Sequence, residues 1–163
     1  MHTTDSTDSV QEHGRHAARS DVAVDPDLLD VVTVRPLGGE RFDITVRGHV
    51  VTVDQPAPGG DDTAPTPTEL FVASLAGCVA FYAQRYLVRH DLPLEGLAVR
   101  AHWTMAVRPA RVASITVEVQ LPEGVPPERR DALLAVASRC TLHNTLADPP
   151  DVAIELRHAE VAV

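Results

Sequence analysis

The sequence has no lysine, few aromatic residues and only two cysteines, and each scarcity narrows the chemistry available to the chain. All 14 basic residues are arginines, so no lysine can act as a base or form a Schiff base. Guanidinium groups are therefore the only permanent side-chain cations, and they suit bidentate contacts with carboxylates. Aromatic residues make up 4% of the 163 residues, which predicts a core of aliphatic and small side chains.

Charge and hydropathy exclude two further classes of partner. The net charge of −9 repels polyphosphates, so we expect no nucleic-acid partner. The longest mainly apolar run, residues 70–83, is shorter than the roughly 20 residues of a membrane span, and no signal peptide is recognisable. We therefore expect a cytoplasmic protein without membrane contacts, where reducing conditions favour free or catalytic cysteines over a permanent disulfide.

The chain divides into a polar tail and one predicted domain. Residues 1–27 show no hydrophobic period and are predicted to be disordered, whereas residues 28–163 are predicted to form a single domain. Alternating β-branched residues predict two or three antiparallel strands, then a hairpin, then a last strand. These strands are expected within segments 30–36, 41–56, 97–107, 112–121 and 151–156.

Two helices are predicted between these strands. Thr66, Pro67 and Glu69 form a capping-box pattern that starts a helix running to about Arg89. Two prolines and a glutamate at 126–128 start a second helix, which is expected to end near Cys140. The element order β-β-(β)-α-β-β-α-β predicts an α+β fold rather than alternating β-α units.

The two cysteines are the residues with the most chemical potential. Cys78 stands in the apolar run SLAGCVAFYA, three turns into the first helix, where the helix dipole has faded. Burial in such surroundings raises the pKa of a thiol, so reactivity at Cys78 requires a cation from elsewhere in the fold. Cys140 stands in SRCTLHNTL near the end of the second helix, and packing of the two helices would allow a disulfide if the Cα atoms approach within about 7 Å.

Other interpretations of these cysteines remain open from the residues alone. Cys78 can be an inert core residue, because free cysteine is among the most buried residue types. The pair can also be a structural disulfide. A zinc site is disfavoured, since Cys78, Cys140 and His143 offer three ligands where a structural site uses four. No motif for a phosphate-bearing or metal cofactor is present, so we expect neither.

Two motifs together resemble the OsmC/Ohr family of thiol-dependent peroxidases. They are GGDDTAPTPTELFVASLAGCVAFYA and, further along, SRCTLHNTLADPPDVAIEL, and the likeness covers residues 31–156. The resemblance implies an OsmC-like fold, with antiparallel sheets wrapped around two central helices in an intertwined homodimer. It also implies two active sites at the subunit interface.

The resemblance implies roles for individual residues. Cys78 matches the peroxidatic cysteine and Cys140 the resolving cysteine of the family. Arg41, with Arg47 as the second choice, fits the arginine that stabilises the thiolate. Thr68 stands where the hydroperoxide-resistance branch carries its catalytic glutamate, and Glu69 follows one position later.

These roles predict a reaction and leave one competing function. An organic hydroperoxide would oxidise Cys78 to a sulfenate, Cys140 would form a disulfide with it, and an external dithiol, in relatives often a lipoyl protein, would reduce the disulfide. The competing hypothesis is a non-catalytic dimer that binds a small apolar ligand in the same helix-lined cavity. The expected pocket consists of Phe71, Leu75, Val79, Phe81 and Tyr82.

Overall fold

The computed structural model describes residues 31–158, so the predicted tail, residues 1–27, lies outside the described residues. The described chain is an α+β structure of five strands and three helices, which confirms the predicted class. In chain order these elements are β1 (Val32–Gly38), β2 (Arg41–Val46), β3 (His49–Val53), α1 (Pro67–Arg89), β4 (Ala98–Val107), β5 (Ala110–Gln120), α2 (Pro127–Ala137) and α3 (Thr141–Ala147).

The strands form two separate antiparallel sheets. Strands β1, β2 and β3 form a meander in which Ile44 of β2 pairs with Val34 on one side and Val51 on the other. Strands β4 and β5 form a long hairpin, with Trp103 opposite Ile115. Both arrangements follow from the alternating residues and the intervening turns, and both were expected from the sequence.

The core lies where α1 and α2 pack against the β4–β5 hairpin. On β5, Ile115, Val117 and Val119 alternate with exposed polar residues and pack against this core, as the alternation predicts. The buried members of the core come from α1, α2 and the segments beside them. They are Leu75, Val79, Ala83, Tyr86, Leu87, Val125, Leu133, Ala137 and Cys140.

Helix α1 begins where its capping residues predict. The Thr66 hydroxyl accepts a hydrogen bond from the backbone N–H of Glu69 at 3.1 Å, and the Glu69 carboxylate accepts one from the backbone N–H of Thr66 at 2.7 Å. Within the described chain, α1 is the one helix long and apolar enough to cross a membrane. In the structure it instead packs against α2, α3 and the hairpin.

A buried carboxylate organises the loop between β3 and α1. Asp54 is fully buried and accepts hydrogen bonds from the backbone N–H of Gln55 and from both the backbone N–H and the hydroxyl of Thr63. The hydrogen bond from the Thr63 backbone is the largest influence holding the pKa of Asp54 below its ordinary value. Gly60 passes so close to Asp54 and Gln55 that a Cβ at this position would collide with them.

Two details of the predicted element order are wrong. Helix α2 ends at Ala137 rather than near Cys140, and the separate helix α3 follows it. The segment 151–156 is not a strand, although its apolar residues alternate. Val152, Ile154 and Leu156 are 81%, 92% and 100% exposed, because no strand of the described chain pairs with this segment.

Candidate functional site

The fold brings the two cysteines together at the contact between α1 and α3. Cys78 lies in the middle of α1 and is half-buried, whereas Cys140 lies between α2 and α3 and is fully buried. Cys78 packs against the core cluster that contains Cys140, close enough to influence its pKa, and both are free thiols. From the residues alone this proximity was one of several open possibilities, and the resemblance to the OsmC/Ohr family implied it.

Cys140 serves as the N-cap of α3. Its sulfur accepts a hydrogen bond from the backbone N–H of His143 at 3.3 Å. Burial raises the pKa of the Cys140 thiol, and hydrogen bonding and charge repulsion with Cys78 raise it further, against a lowering contribution from the His143 N–H. Cys140 is therefore held in the neutral thiol form, in a fixed position beside its partner.

Two hydrogen bonds outside the thiols fix the position of α3. The Tyr82 hydroxyl and the Thr141 hydroxyl are 3.2 Å apart, which ties α3 to α1 one turn beyond Cys78. The His143 ring donates from Nδ1 to the backbone carbonyl of Ser138, because a carbonyl can only accept. The segment that carries Cys140 is thus held from both sides.

An apolar cleft of about 190 Å³ opens beside the cysteine pair. Leu75 and Val79, which flank Cys78 in the sequence, form one wall, and neither cysteine is among the lining residues. The other walls come from β5, α2 and α3, namely Ile115, Val117, Val119, Leu134, Ala137, Ser138 and His143. We call this cavity the apolar cleft.

The predicted pocket residues do not line one common pocket. Leu75 and Val79 line the apolar cleft, while Tyr82 lines another cleft further along the helix. Phe71 and Phe81 are 43% and 59% exposed and line neither cavity. Phe71 lies about two turns before Cys78 on nearly the same side of α1, and Phe81 lies about 60° around the axis from Cys78. Proximity in sequence to Cys78 therefore did not ensure a shared pocket.

No hydrogen bond or ion pair joins the predicted arginine or carboxylate to the thiols within residues 31–158. Arg41 lies on β2, forms no ion pair among the described residues, and has a buried Nε without a hydrogen-bond partner. Glu69 is engaged in the capping box of α1. Arg47 has a positive φ of 54° between β2 and β3 and is exposed there.

The possible metal-ligating side chains of the described residues are dispersed. No group of three or more histidine, cysteine, aspartate or glutamate residues is arranged to hold a metal ion in residues 31–158. The chemistry that the described arrangement offers is that of a dithiol beside an apolar cleft.

Sequence reasoning missed the contributions of Thr141 and Ser138. Thr141 bonds to Tyr82, and Ser138 supplies the carbonyl that orients His143. The signal for α3 was weak because its N-cap is a cysteine, outside the usual set of serine, threonine, aspartate and asparagine. A sequence prediction that ended the second helix at Ser138 and began a new helix after Cys140 would have placed both residues at helix ends.

The fold and the paired thiols define a two-cysteine α+β protein, and comparison identifies its family. The family model described as OsmC-like protein matches residues 59–155, which include both cysteines. The chain belongs to the OsmC-like protein family, as the sequence motifs implied. No curated protein matches the sequence.

Solved structures of the same fold come from several bacteria. A Psychrobacter arcticus protein, named for osmotic stress induction and a detoxification response, has a TM-score of 0.65 and 19% identity over 70% of this chain and 85% of its own. An OsmC-like protein of Mycoplasma pneumoniae has a TM-score of 0.61 and 17% identity over 76% and 90%. An organic hydroperoxide resistance protein OsmC of Legionella pneumophila has a TM-score of 0.55 and 19% identity over 74% and 90%.

Proposed function

We propose that the protein is a thiol-dependent peroxidase that reduces organic hydroperoxides to alcohols. The observation that carries the proposal is the packing of a half-buried Cys78 against the core cluster that contains the fully buried Cys140, both of them free thiols. A peroxide can reach only the more accessible sulfur, while the second sulfur is already in place to form the disulfide. Similar structures named as organic hydroperoxide resistance proteins support the assignment.

In the first step the Cys78 thiolate attacks the terminal oxygen of the hydroperoxide. A sulfur–oxygen bond forms and the oxygen–oxygen bond breaks, so the sulfur is oxidised and the peroxide is reduced. The alkoxide leaves with a proton as an alcohol, and a sulfenic acid remains on Cys78. The apolar cleft beside Leu75 and Val79 favours a hydroperoxide with an alkyl or aryl group over hydrogen peroxide.

In the second step Cys140 condenses with the sulfenic acid. Its sulfur forms the disulfide with Cys78, and the sulfenic oxygen leaves as water with the thiol proton. An external dithiol then reduces the disulfide by exchange and restores both thiols. We place this cycle in the cytoplasm, where such reductants are maintained.

We further propose that the active molecule is a homodimer in which Arg41 of one copy approaches Cys78 of the other. Among the described residues, strands β1–β3 pack mainly on one another and not on the helices. Their apolar side chains Val32, Val34 and Val50 are each more than half exposed, which suits a face covered by a second subunit. In such a dimer the Arg41 side chain, whose Nε has no partner in the described chain, would stabilise the Cys78 thiolate.

A non-catalytic binding module is the second candidate function. Glu69 favours it, because this carboxylate is held in the capping box and Thr68 occupies the position of the glutamate expected in the hydroperoxide-resistance branch. The protein would then bind a small apolar molecule in the apolar cleft, with Cys78 and Cys140 as structural residues.

Turnover of an organic hydroperoxide distinguishes the two functions. With dihydrolipoamide as the reductant, we expect catalytic consumption of tert-butyl hydroperoxide by the native protein and none by Cys78→Ser. Without the dithiol, the Cys140→Ser variant should consume about one equivalent and stop as the sulfenate. Native protein that consumes no more hydroperoxide than Cys78→Ser would exclude the peroxidase and leave the binding module.

A further inference from the structure

A second cleft, of about 260 Å³, lies along the C-terminal half of α1. It shares no lining residue with the apolar cleft. Its walls combine cationic and aromatic side chains with one aliphatic residue of α2, and they are Tyr82, Arg85, Tyr86, Arg89, His90 and Val136. We call this cavity the arginine cleft.

The two guanidinium groups of the arginine cleft have no counter-ion in the described chain. Arg85 and Arg89 are four residues apart, so they project from the same face of α1, where like charges repel each other. Neither forms an ion pair with a described residue, although acidic residues outnumber basic ones in the protein by 23 to 14. Two adjacent, unpaired arginines leave a local positive potential in a negatively charged molecule.

The buried tyrosine of the cleft also lacks a partner. Tyr86 is 7% exposed, and its hydroxyl is buried without a hydrogen bond. Buried hydroxyl groups are normally satisfied, so the orphaned hydroxyl of a residue that lines the same cleft as two unpaired arginines indicates a missing acceptor. The centroid of the Tyr86 ring lies 4.4 Å from that of the His90 ring, with the two planes tilted by 50°, and both rings line the cleft.

The positions of the arginines near the helix end do not explain the whole arrangement. Cations in the last turn of a helix are favoured by its dipole, and this accounts for Arg89. It does not account for Arg85, which lies one turn earlier, nor for the unpartnered hydroxyl of Tyr86. A bound oxyanion would give Arg85 and Arg89 a counter-ion and would offer the Tyr86 hydroxyl an acceptor.

We propose that the arginine cleft binds a small organic carboxylate with a flat, apolar body. A planar carboxylate matches the donor fork of arginine and accepts from a tyrosine hydroxyl. The aromatic walls and Val136 bury the body of the ligand. The volume lies below the roughly 300–1,000 Å³ of pockets for drug-sized molecules, so the ligand is the size of a single-ring acid. This binding activity is separate from the thiol chemistry.

Titration calorimetry with benzoate tests the proposal on the full-length, reduced protein at low ionic strength. We expect saturable binding of one benzoate per chain, weakened at least tenfold in the double variant Arg85→Gln/Arg89→Gln. Tyr86→Phe, which keeps the ring and removes only the hydroxyl, should weaken binding at least threefold. The thermal unfolding temperature of each variant shows that it is folded.

Two controls separate a built site from general attraction of an anion. The variant Arg108→Gln/Arg111→Gln removes the same charge from exposed positions outside the cleft and should leave the affinity unchanged within twofold. Benzyl alcohol, the neutral analogue, should bind at least tenfold more weakly than benzoate. The proposal is overturned if native protein shows no saturable binding, if the control variant loses as much affinity as the cleft variant, or if benzyl alcohol binds as tightly as benzoate.

Discussion

The surroundings of the two sulfurs differ, and this difference assigns them different tasks in the proposed cycle. Cys140 is fully buried and held by the N–H of His143, and its pKa is raised above the ordinary value. Cys78 has part of its surface open. The less accessible, protonated thiol suits resolution of a sulfenate, and the more accessible one suits attack on the peroxide.

The difference in accessibility predicts selective alkylation. With limiting iodoacetamide at pH 8, we expect Cys78 to be modified at least tenfold faster than Cys140, because the buried Cys140 thiol stays protonated. Raising the pH past 9.0, the ordinary pKa of a cysteine thiol, should only slowly reduce the ratio of the two alkylation rates. Peptide mapping by mass spectrometry measures both rates, and faster labelling of Cys140 would reverse the assignment.

Asp54 predicts a pH dependence of stability that is independent of the cysteines. Its pKa is lower in the folded chain than its ordinary value of 3.8, so its stabilising effect is complete above that value and is lost as the pH falls through the folded pKa. Asp54→Asn should lower the free energy of unfolding at pH 7 and make it fall less between pH 5 and pH 2.

Chemical denaturation at several pH values measures this effect. Asp43→Asn is a suitable control because its carboxylate accepts one hydrogen bond, from the Thr52 hydroxyl, in place of the three at Asp54. A pH profile of Asp54→Asn parallel to that of the native protein would contradict the role given to this residue.

At the scale of elements, local sequence signals were sufficient to predict the start of α1. Non-local contacts determine the conformation of segment 151–156, which was wrongly predicted to be a strand. Thr66, Pro67 and Glu69 specify the start of α1 within four residues, so the sequence alone could locate it. Segment 151–156 has a strand pattern, but a strand needs a partner for its backbone, and no sequence pattern shows whether one is available.

The same distinction applies to the candidate site. Proximity of Cys78 and Cys140 could be anticipated because Cys78 stands on one apolar helix and Cys140 follows shortly after another, and the apolar faces of both helices must be covered. The location of Arg41 relative to Cys78 depends on how the β1–β3 sheet is placed against other elements, which the residues near Arg41 do not encode. The division of the predicted pocket residues, with Leu75 and Val79 in one cleft and Tyr82 in the other, likewise depended on tertiary packing.

The capping box of α1 predicts a measurable loss of stability on mutation. Thr66→Ala removes the acceptor for the Glu69 N–H and should lower the free energy of unfolding by about 0.5–2 kcal/mol. Thr68→Ala is the matched control, since Thr68 lies within the helix and makes no hydrogen bond through its side chain among the described residues. Urea denaturation measures both, and an equal effect in the two variants would contradict the capping role.

At the scale of the whole molecule, the exposed apolar side chains point to assembly. They lie on the β1–β3 sheet, on α1 and on segment 151–156, and they include Val34, Val50, Phe81 and Ile154, each more than half exposed. Monomeric proteins rarely leave so much apolar surface open to water. A dimer would cover these faces and complete the proposed site with an arginine.

Subunit mixing tests the proposed dimer and the source of the arginine together. Sedimentation equilibrium should give twice the 17.5 kDa mass of the chain. Arg41→Gln and Cys78→Ser should each be inactive, whereas refolding them together should restore about a quarter of native activity, since half of the dimers then carry one complete site. Arg47→Gln is the control and should remain active.

A monomeric mass would contradict the proposed assembly. A dimer whose mixed variants stay inactive would show instead that Arg41 acts within its own chain. If Arg47→Gln is inactive and Arg41→Gln remains active, then Arg47 and not Arg41 is the arginine that stabilises the thiolate.

The most direct test of the central claim is the mass of the protein after one exposure to cumene hydroperoxide. After a slight excess of the peroxide and alkylation of the remaining thiols, we expect a loss of two hydrogens, no alkylation, and a peptide that links Cys78 to Cys140. Two thiols that alkylate as completely after the peroxide as before would contradict the account.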